Sequence, residues 1–236
     1  MTIYNCIGQR DIIMEYKNKF GTINLLEDSK FKNKTIAVAM SGGADSTMLC
    51  YLLANTIQEQ DLNITIQPYN GLDLWAPGDG QQVPKIVYYI RNKFPFVQIN
   101  WPLSVVFDTD GGKAPSKHTY IRPMSKMLEE KIVDYTFHGI SMGPPEEIQK
   151  EFNKTQGHPD GLVRLPGGLY WEELERQEDD LAPYKTIDKR FIIQSYADHG
   201  VTDLLDMTAS CIVPDPGCSG TCWWCQERQW AVDEVY

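Results

Sequence analysis

The segment Ala37–Leu53, AVAMSGGADSTMLCYLL, constrains this chain more than any other. A short apolar, β-rich run, Thr35–Met40, ends in Ser-Gly-Gly. Ser46–Gln60 then has the length and one-sided apolar content of a helix packed on a sheet. Strand, tight turn and helix in that order gather several backbone N–H groups and a helix N-terminus at one point. Such a point attracts anions, because unpaired donors and the helix dipole both favour negative charge. Gly42 and Gly43 permit close approach and positive φ, and the hydroxyls of Ser41 and Ser46 add donors toward phosphate oxygens. Asp45 is the odd member: a carboxylate beside phosphates is repulsive unless a cation lies between, so it points to Mg²⁺. The loop lacks the Gly-Lys-Ser/Thr ending of a Walker P-loop. An ordinary glycine turn capped by Asp45 or Ser46 is the plain alternative. The complete string in strand-loop-helix context favours the phosphate site.

A second constraint lies near the other end. Cys211, Cys218, Cys222 and Cys225 fall within fifteen residues, on a stretch containing Gly and Pro, whereas Cys6 and Cys50 stand alone. Short spacings between thiolates are typical of closed, tetrahedral structural zinc sites, which support folding and do not activate water. An iron–sulfur cluster is the alternative occupant. The lone cysteines read as small buried hydrophobes.

Between these landmarks, segments of strand and helix character alternate. Leu62–Tyr69 and Val97–Trp101 read as strands, Val83–Phe94 and Pro123–Val133 as helices, Tyr135–Ile140 as a strand, and Pro144–Phe152 and Asp188–His199 as helices. A helix is expected around Asp11–Phe20. Alternation of this kind argues for an α/β fold, a mostly parallel sheet with helices on its faces. The reading divides the chain into an N-terminal extension (1–33), an α/β domain that holds the Ser-Gly-Gly loop (34–205) and a C-terminal four-cysteine zinc segment (206–236). Gln156–Tyr184, rich in Gly, Pro and acid, reads as a long insertion over one sheet edge.

With 22 Lys+Arg against 32 Asp+Glu and a net charge of −10, a broad basic surface for nucleic acid is set aside, leaving only a local basic groove open. No run approaches the roughly 18 apolar residues of a membrane span, and the first residues lack an apolar block with a cleavage site. The expectation is a soluble, cytoplasmic protein. His118, His138, His158 and His199 show no metal-binding spacing. His138, at a strand end before Gly139, faces the expected cleft, although a hydrogen-bonded structural histidine is the default. Lys113 and Lys117 read as a solvated loop or a lid over phosphates, Trp223 and Trp224 as a cover for the metal site, and the acidic run Glu172–Asp180 as a solvent face.

SGGADS resembles the PP-loop signature of the ATP pyrophosphatases, an adenine nucleotide alpha-hydrolase-like superfamily, and the resemblance implies a Rossmann-like, doubly wound sheet. The resemblance implies that Ser41, Gly42, Gly43, Asp45 and Ser46 hold the pyrophosphate of ATP and its Mg²⁺. Adenine would lie near Ala37–Met40, with Met40 among the nucleotide-binding residues, and near Gln67–Asn70. The shared chemistry is attack of a substrate oxygen on the α-phosphate, loss of pyrophosphate, and displacement of AMP by a nucleophile. The tail, with Ser210 and Cys211, then Cys218, Cys222, Cys225, Arg228 and Ala231, is similar to the zinc segment of the 7-cyano-7-deazaguanine synthases. Pro183 and the Asp188-Lys189 pair before Gly200 match that family's approach to it. The similarity implies a ligase using ATP, Mg²⁺ and Zn²⁺ on a purine-like base and ammonia. Asp45 and Lys189 would be catalytic, and a homodimer is common in the family.

Two departures stand beside this. The last three cysteines are spaced by three and two residues rather than two and two. The family's Tyr-Pro-Asp-Cys-Arg motif is replaced by GISMGPPEEIQKEF. ATP chemistry therefore transfers better than substrate identity. The alternatives are a PP-loop thiolase or amidase acting on a nucleotide or tRNA, and a catalytically idle ATP-binding or zinc interaction module that binds ATP without turnover.

Overall fold

A computed structural model of the chain describes residues 14–26, 29–73, 80–107, 124–155, 178–210, 220 and 222–236. The expectations placed on Asp11–Ile13, on Asp108–His118 with Lys113 and Lys117, on 156–177, and on Cys211 and Cys218 lie outside the described residues.

The central sheet is built on β3 (Thr35–Ala39), whose Ile36, Ala37 and Val38 are fully buried. On one side it pairs in parallel with β4 (Thr65–Asp73), on the other with β7 (Tyr135–His138). Beyond β4 lie β5 (Gln98–Ile99) and β6 (Leu103–Phe107), and beyond β7 lies β8 (Asp180–Leu181), all parallel. Taking β5 and β6 as one interrupted strand gives the doubly wound order 3-2-1-4-5. The sheet is thus mostly parallel and Rossmann-like, and the point where strand order reverses lies between β3 and β7.

Residues alternating along β3 send their side chains to opposite faces. Ile36 and Val38 join the main core with α1 (Ala44–Glu59), α2 (Val83–Lys93) and α4 (Lys189–Asp198); Ala37 joins a smaller cluster with Tyr69, Met124, Met127 and Val133. The remaining helices are a stretch over 124–129, α3 (Glu146–Thr155), the short α5 (Thr202–Asp206) and α6 (Trp223–Val235). No helix among the described residues is long and apolar enough to cross a membrane.

The expected helix around Asp11–Phe20 is replaced, over its described part, by an antiparallel hairpin of β1 (Met14–Asn18) and β2 (Gly21–Leu25). Tyr16 points inward between outward Glu15 and Lys17, a period of two. The Asn18 carboxamide closes the two-residue turn by accepting from the Phe20 N–H at 2.9 Å. The hairpin is tied to the core by the Tyr16 hydroxyl, which donates to the Leu52 carbonyl at 3.0 Å.

The expected strand Val97–Trp101 is shorter than anticipated, and β6 after Pro102 was not anticipated. Strand β4 starts later and runs past Tyr69 to Asp73. It contains Pro68, which cannot donate to a ladder. The Ile66 carbonyl accepts from Asn100 on the β5 side while the Tyr69 carbonyl accepts from Met40 on the β3 side, so Pro68 faces the gap between β5 and β6. The Gln67 carboxamide bridges that gap, donating to the Trp101 carbonyl at 3.1 Å and accepting from Asn100 at 3.0 Å.

Candidate phosphate-binding site

The site forms where β3 ends and α1 begins. Gly42 takes φ +81°, in the left-handed region, and a Cβ there would lie 3.4 Å from Gln82 Oε1. Gly43 is the N-cap of α1 and offers no side chain to cap it. The first-turn amides of a 16-residue helix therefore point out without a side-chain acceptor. A Cβ on Gly43 would stand 3.2 Å from Ser41 Oγ, inside this cradle.

The two serines brace the turn. Ser41 Oγ accepts from the Gly43 N–H at 3.2 Å; Ser46 Oγ accepts from the Ser41 N–H at 3.2 Å and donates to the Gly43 carbonyl at 3.3 Å. Ser41 is exposed and Ser46 buried. From outside the loop, Ala209 N–H donates to the Gly42 carbonyl at 3.0 Å and the Tyr196 hydroxyl to the Ala44 carbonyl at 2.8 Å. Burial raises the Tyr196 phenol well above its ordinary range, as it does Tyr184.

Strand β7 closes the other flank. Gly139, just after its end, lies so close to α1 that a Cβ would come within 2.7 Å of both Ser46 Cα and Ser46 N. Two residues on, Ser141 Oγ donates to Asp45 Oδ2 at 3.0 Å.

Asp45 also meets the predicted lysine. Lys189 Nζ lies 3.1 Å from each Asp45 carboxylate oxygen and 3.0 Å from Glu227 Oε2. Lys189 is 4% exposed and Glu227 fully buried. The sequence allowed an exposed helix lysine here; the structure instead buries the ammonium between carboxylates from α1 and α6. Such burial is tolerable only with close opposite charge.

Ser41, Gly42, Gly43, Asp45, Ser46 and Lys189, predicted over a span of nearly the whole domain, thus meet at one end of the sheet. Met40 differs: its side chain is 2% exposed and belongs to the main core, while its N–H donates to the Tyr69 carbonyl. Sequence reasoning missed Ser141, Tyr196, Gly139 and Glu227. Only Gly139 carried a local signal, a glycine directly after a strand end.

His138 Nε2 lies 2.7 Å from Asp180 Oδ1, and Thr136 Oγ1 donates to the same oxygen. Asp180 therefore does not belong to a solvent face, contrary to the expectation for Glu172–Asp180; its side chain is 11% exposed. Residues 172–177 of that run lie outside the described residues.

No protein-family model and no curated protein matches the chain. Solved structures resemble it. One of them is the U34-tRNA thiolase NcsA from Methanococcus maripaludis with its 4Fe-4S cluster, with 14% identity, a TM-score of 0.46 and 86% of this chain covered. The chain spans 64% of that protein.

Of the four cysteines, Cys222 is the N-cap of α6 and Cys225 lies in its first turn, so both sulfurs sit at one helix end. Trp223, between them, is 4% exposed and packs edge-on against Phe152 with ring centroids 6.0 Å apart. Among the described residues no group of three or more His, Cys, Asp or Glu could hold a metal. Two sulfurs at one helix end are soft donors of the kind zinc takes. At the phosphate loop, the Asp45 carboxylate is a hard oxygen donor that fits Mg²⁺.

Proposed function

We propose that the chain is a PP-loop-type, ATP-dependent ligase that activates a small substrate by adenylation and releases AMP and pyrophosphate. The uncapped N-terminus of α1, flanked by the Asp45–Lys189 pair, carries this reading. The loop amides and the Ser41 hydroxyl would hold the β- and γ-phosphates, with Gly42 and Gly43 leaving room for them. Lys189 would sit beside charge developing on the leaving pyrophosphate, fixed there by Glu227. Mg²⁺, when bound at Asp45, supplies further charge neutralisation of the phosphates. Zinc at Cys211, Cys218, Cys222 and Cys225 would hold the start of α6, and with it Glu227, in place.

For the acceptor, the tail's similarity to the 7-cyano-7-deazaguanine synthases supports a 7-carboxy-7-deazaguanine-like base. Its carboxylate would be adenylated, ammonia would displace AMP from the acyl carbon to give an amide, and a second activation would give the nitrile. The protein's share is positioning and charge stabilisation.

The test is incubation with Mg-ATP, 7-carboxy-7-deazaguanine and ammonium, resolving nucleotides and bases by mass spectrometry, with Asp45→Ala as control. AMP, pyrophosphate and nitrile, all lost in the variant, are the expected result. AMP without nitrile would keep the ATP chemistry and move the acceptor elsewhere. Bound ATP without AMP under any acceptor would leave the idle module.

A further inference from the structure

The His138–Asp180 pair lies at the same end of the sheet as the phosphate loop. His138 is in register with Ala39, the last residue of β3, across the point where strand order reverses. Ligands of open α/β sheets bind outside the strand ends at such a point. Residues 138–141 then run along the loop: Gly139 presses on Ser46, and Ser141 bonds Asp45. His138 and Thr136 share one face, since both reach Asp180, and their register partners on β3 there are the small residues Ala39 and Ala37.

The hydrogen bonding fixes the imidazole. A carboxylate only accepts, so the bond to Asp180 is made by the N–H of His138 Nε2, which leaves Nδ1 as the ring nitrogen outside that bond. Thr136 donates to the same carboxylate oxygen and orients it. A histidine held in one tautomer by a buried carboxylate is arranged to take up a proton at its other nitrogen.

We infer that His138, oriented by Asp180, is the general base that deprotonates the nitrogen nucleophile before it displaces AMP. This rests on the adenylation reading above. Ammonia at neutral pH is mostly ammonium, which has no lone pair to attack with. Ammonium gives one proton to His138 Nδ1, and the electron pair of the broken N–H bond stays on nitrogen. That pair forms the C–N bond to the acyl carbon, while the C–O bond to AMP breaks and its electrons leave with AMP. The surplus proton on the new nitrogen passes to water. The buried phenols of Tyr184 and Tyr196 do not compete, because burial holds both well above the neutral range.

The experiment compares wild type with His138→Gln and Asp180→Asn in three assays. Exchange of labelled pyrophosphate into ATP, driven by 7-carboxy-7-deazaguanine, reads adenylation alone. Product formation with ammonium reads both halves. Product formation with hydroxylamine, which is uncharged at neutral pH, reads displacement by a nucleophile that needs no deprotonation. For His138→Gln, exchange and the hydroxylamine reaction are expected within about twofold of wild type, with the ammonium reaction slower by roughly 10²-fold or more. Asp180→Asn is expected to show the same selectivity with a smaller loss, and its melting curve checks folding. Equal losses in all three assays, or equal losses with ammonium and hydroxylamine, would overturn the assignment. Absence of exchange in the wild type would overturn 7-carboxy-7-deazaguanine as the adenylated acceptor, and the base assignment with it.

Discussion

Lys189 and Glu227 form a 3.0 Å ion pair in which the fully buried carboxylate belongs to the helix that begins at the Cys222–Cys225 pair. Through Lys189 that carboxylate reaches Asp45 on the phosphate loop. The C-terminal helix is therefore coupled electrostatically to the start of α1.

Replacing Lys189 by Met leaves Asp45 and Glu227 without their shared cation. Breaking a buried pair from one side costs about 3–5 kcal/mol, or a fall in Tm of roughly 10 °C for a chain of this size. Lys189→Met/Glu227→Gln should recover part of the loss. A double-mutant cycle from thermal melts should give a coupling of at least about 1 kcal/mol. Strict additivity would mean the pair is energetically idle.

Gly139→Ala tests the contact between β7 and α1. The added methyl meets Ser46 backbone at 2.7 Å, which neither element relieves without moving. Overpacking of this kind costs about 1–3 kcal/mol. Moving the α1 terminus should also reduce the rise in Tm that Mg-ATP produces, by more than the parent destabilisation alone accounts for. Thermal melts with and without Mg-ATP measure both effects.

His199 sets a pH limit on stability. Burial pushes its imidazole below the ordinary 6.5, with Asp198 partly countering, and its ring packs on Tyr16 and Tyr51. Below about pH 6.5 the unfolded chain takes up a proton that the fold resists, so stability is full above that value and falls as pH drops through the folded one. His199→Phe should flatten this dependence. Urea midpoints between about pH 8 and about pH 5 provide the comparison.

How far the sequence disclosed these features depends on range. The strand-turn-helix junction was legible because it is contiguous: Ser41, Gly42, Gly43, Asp45 and Ser46 lie in one turn, and the flanking apolar periods give the strand and helix. Alternating elements likewise disclosed the mostly parallel sheet. Glu227 was not legible, because nothing near it in sequence marks it as buried and its partner Lys189 is contributed by another helix. Asp180 was misread for the same reason, since an acid in an acidic run looks solvated until β8 places it beside His138. The hairpin β1–β2 was misread because its short inward pattern is decided by contact with Leu52 and Thr56 rather than by local propensity.

Metal removal tests the tail. The purified chain should carry about one zinc, measured by elemental analysis. Cys225→Ser should lower that content. Because Glu227 lies on the same helix, the variant should also lose affinity for Mg-ATP by isothermal titration. Iron with acid-labile sulfide would instead assign the cysteines to a cluster.

Arg190 is stacked between Phe20 and Trp230, 5.1 Å and 4.9 Å from their ring centroids, while its guanidinium also grips Asp188, the cap of its own helix. The hairpin and the last helix are thus clasped by one side chain, next in sequence to the lysine of the phosphate site. Trimming either segment would release the same clasp. The hairpin, the end of the sheet that carries Asp45 and the last helix should therefore melt in one transition, and proteolytic fragments lacking either segment should not survive as stable pieces.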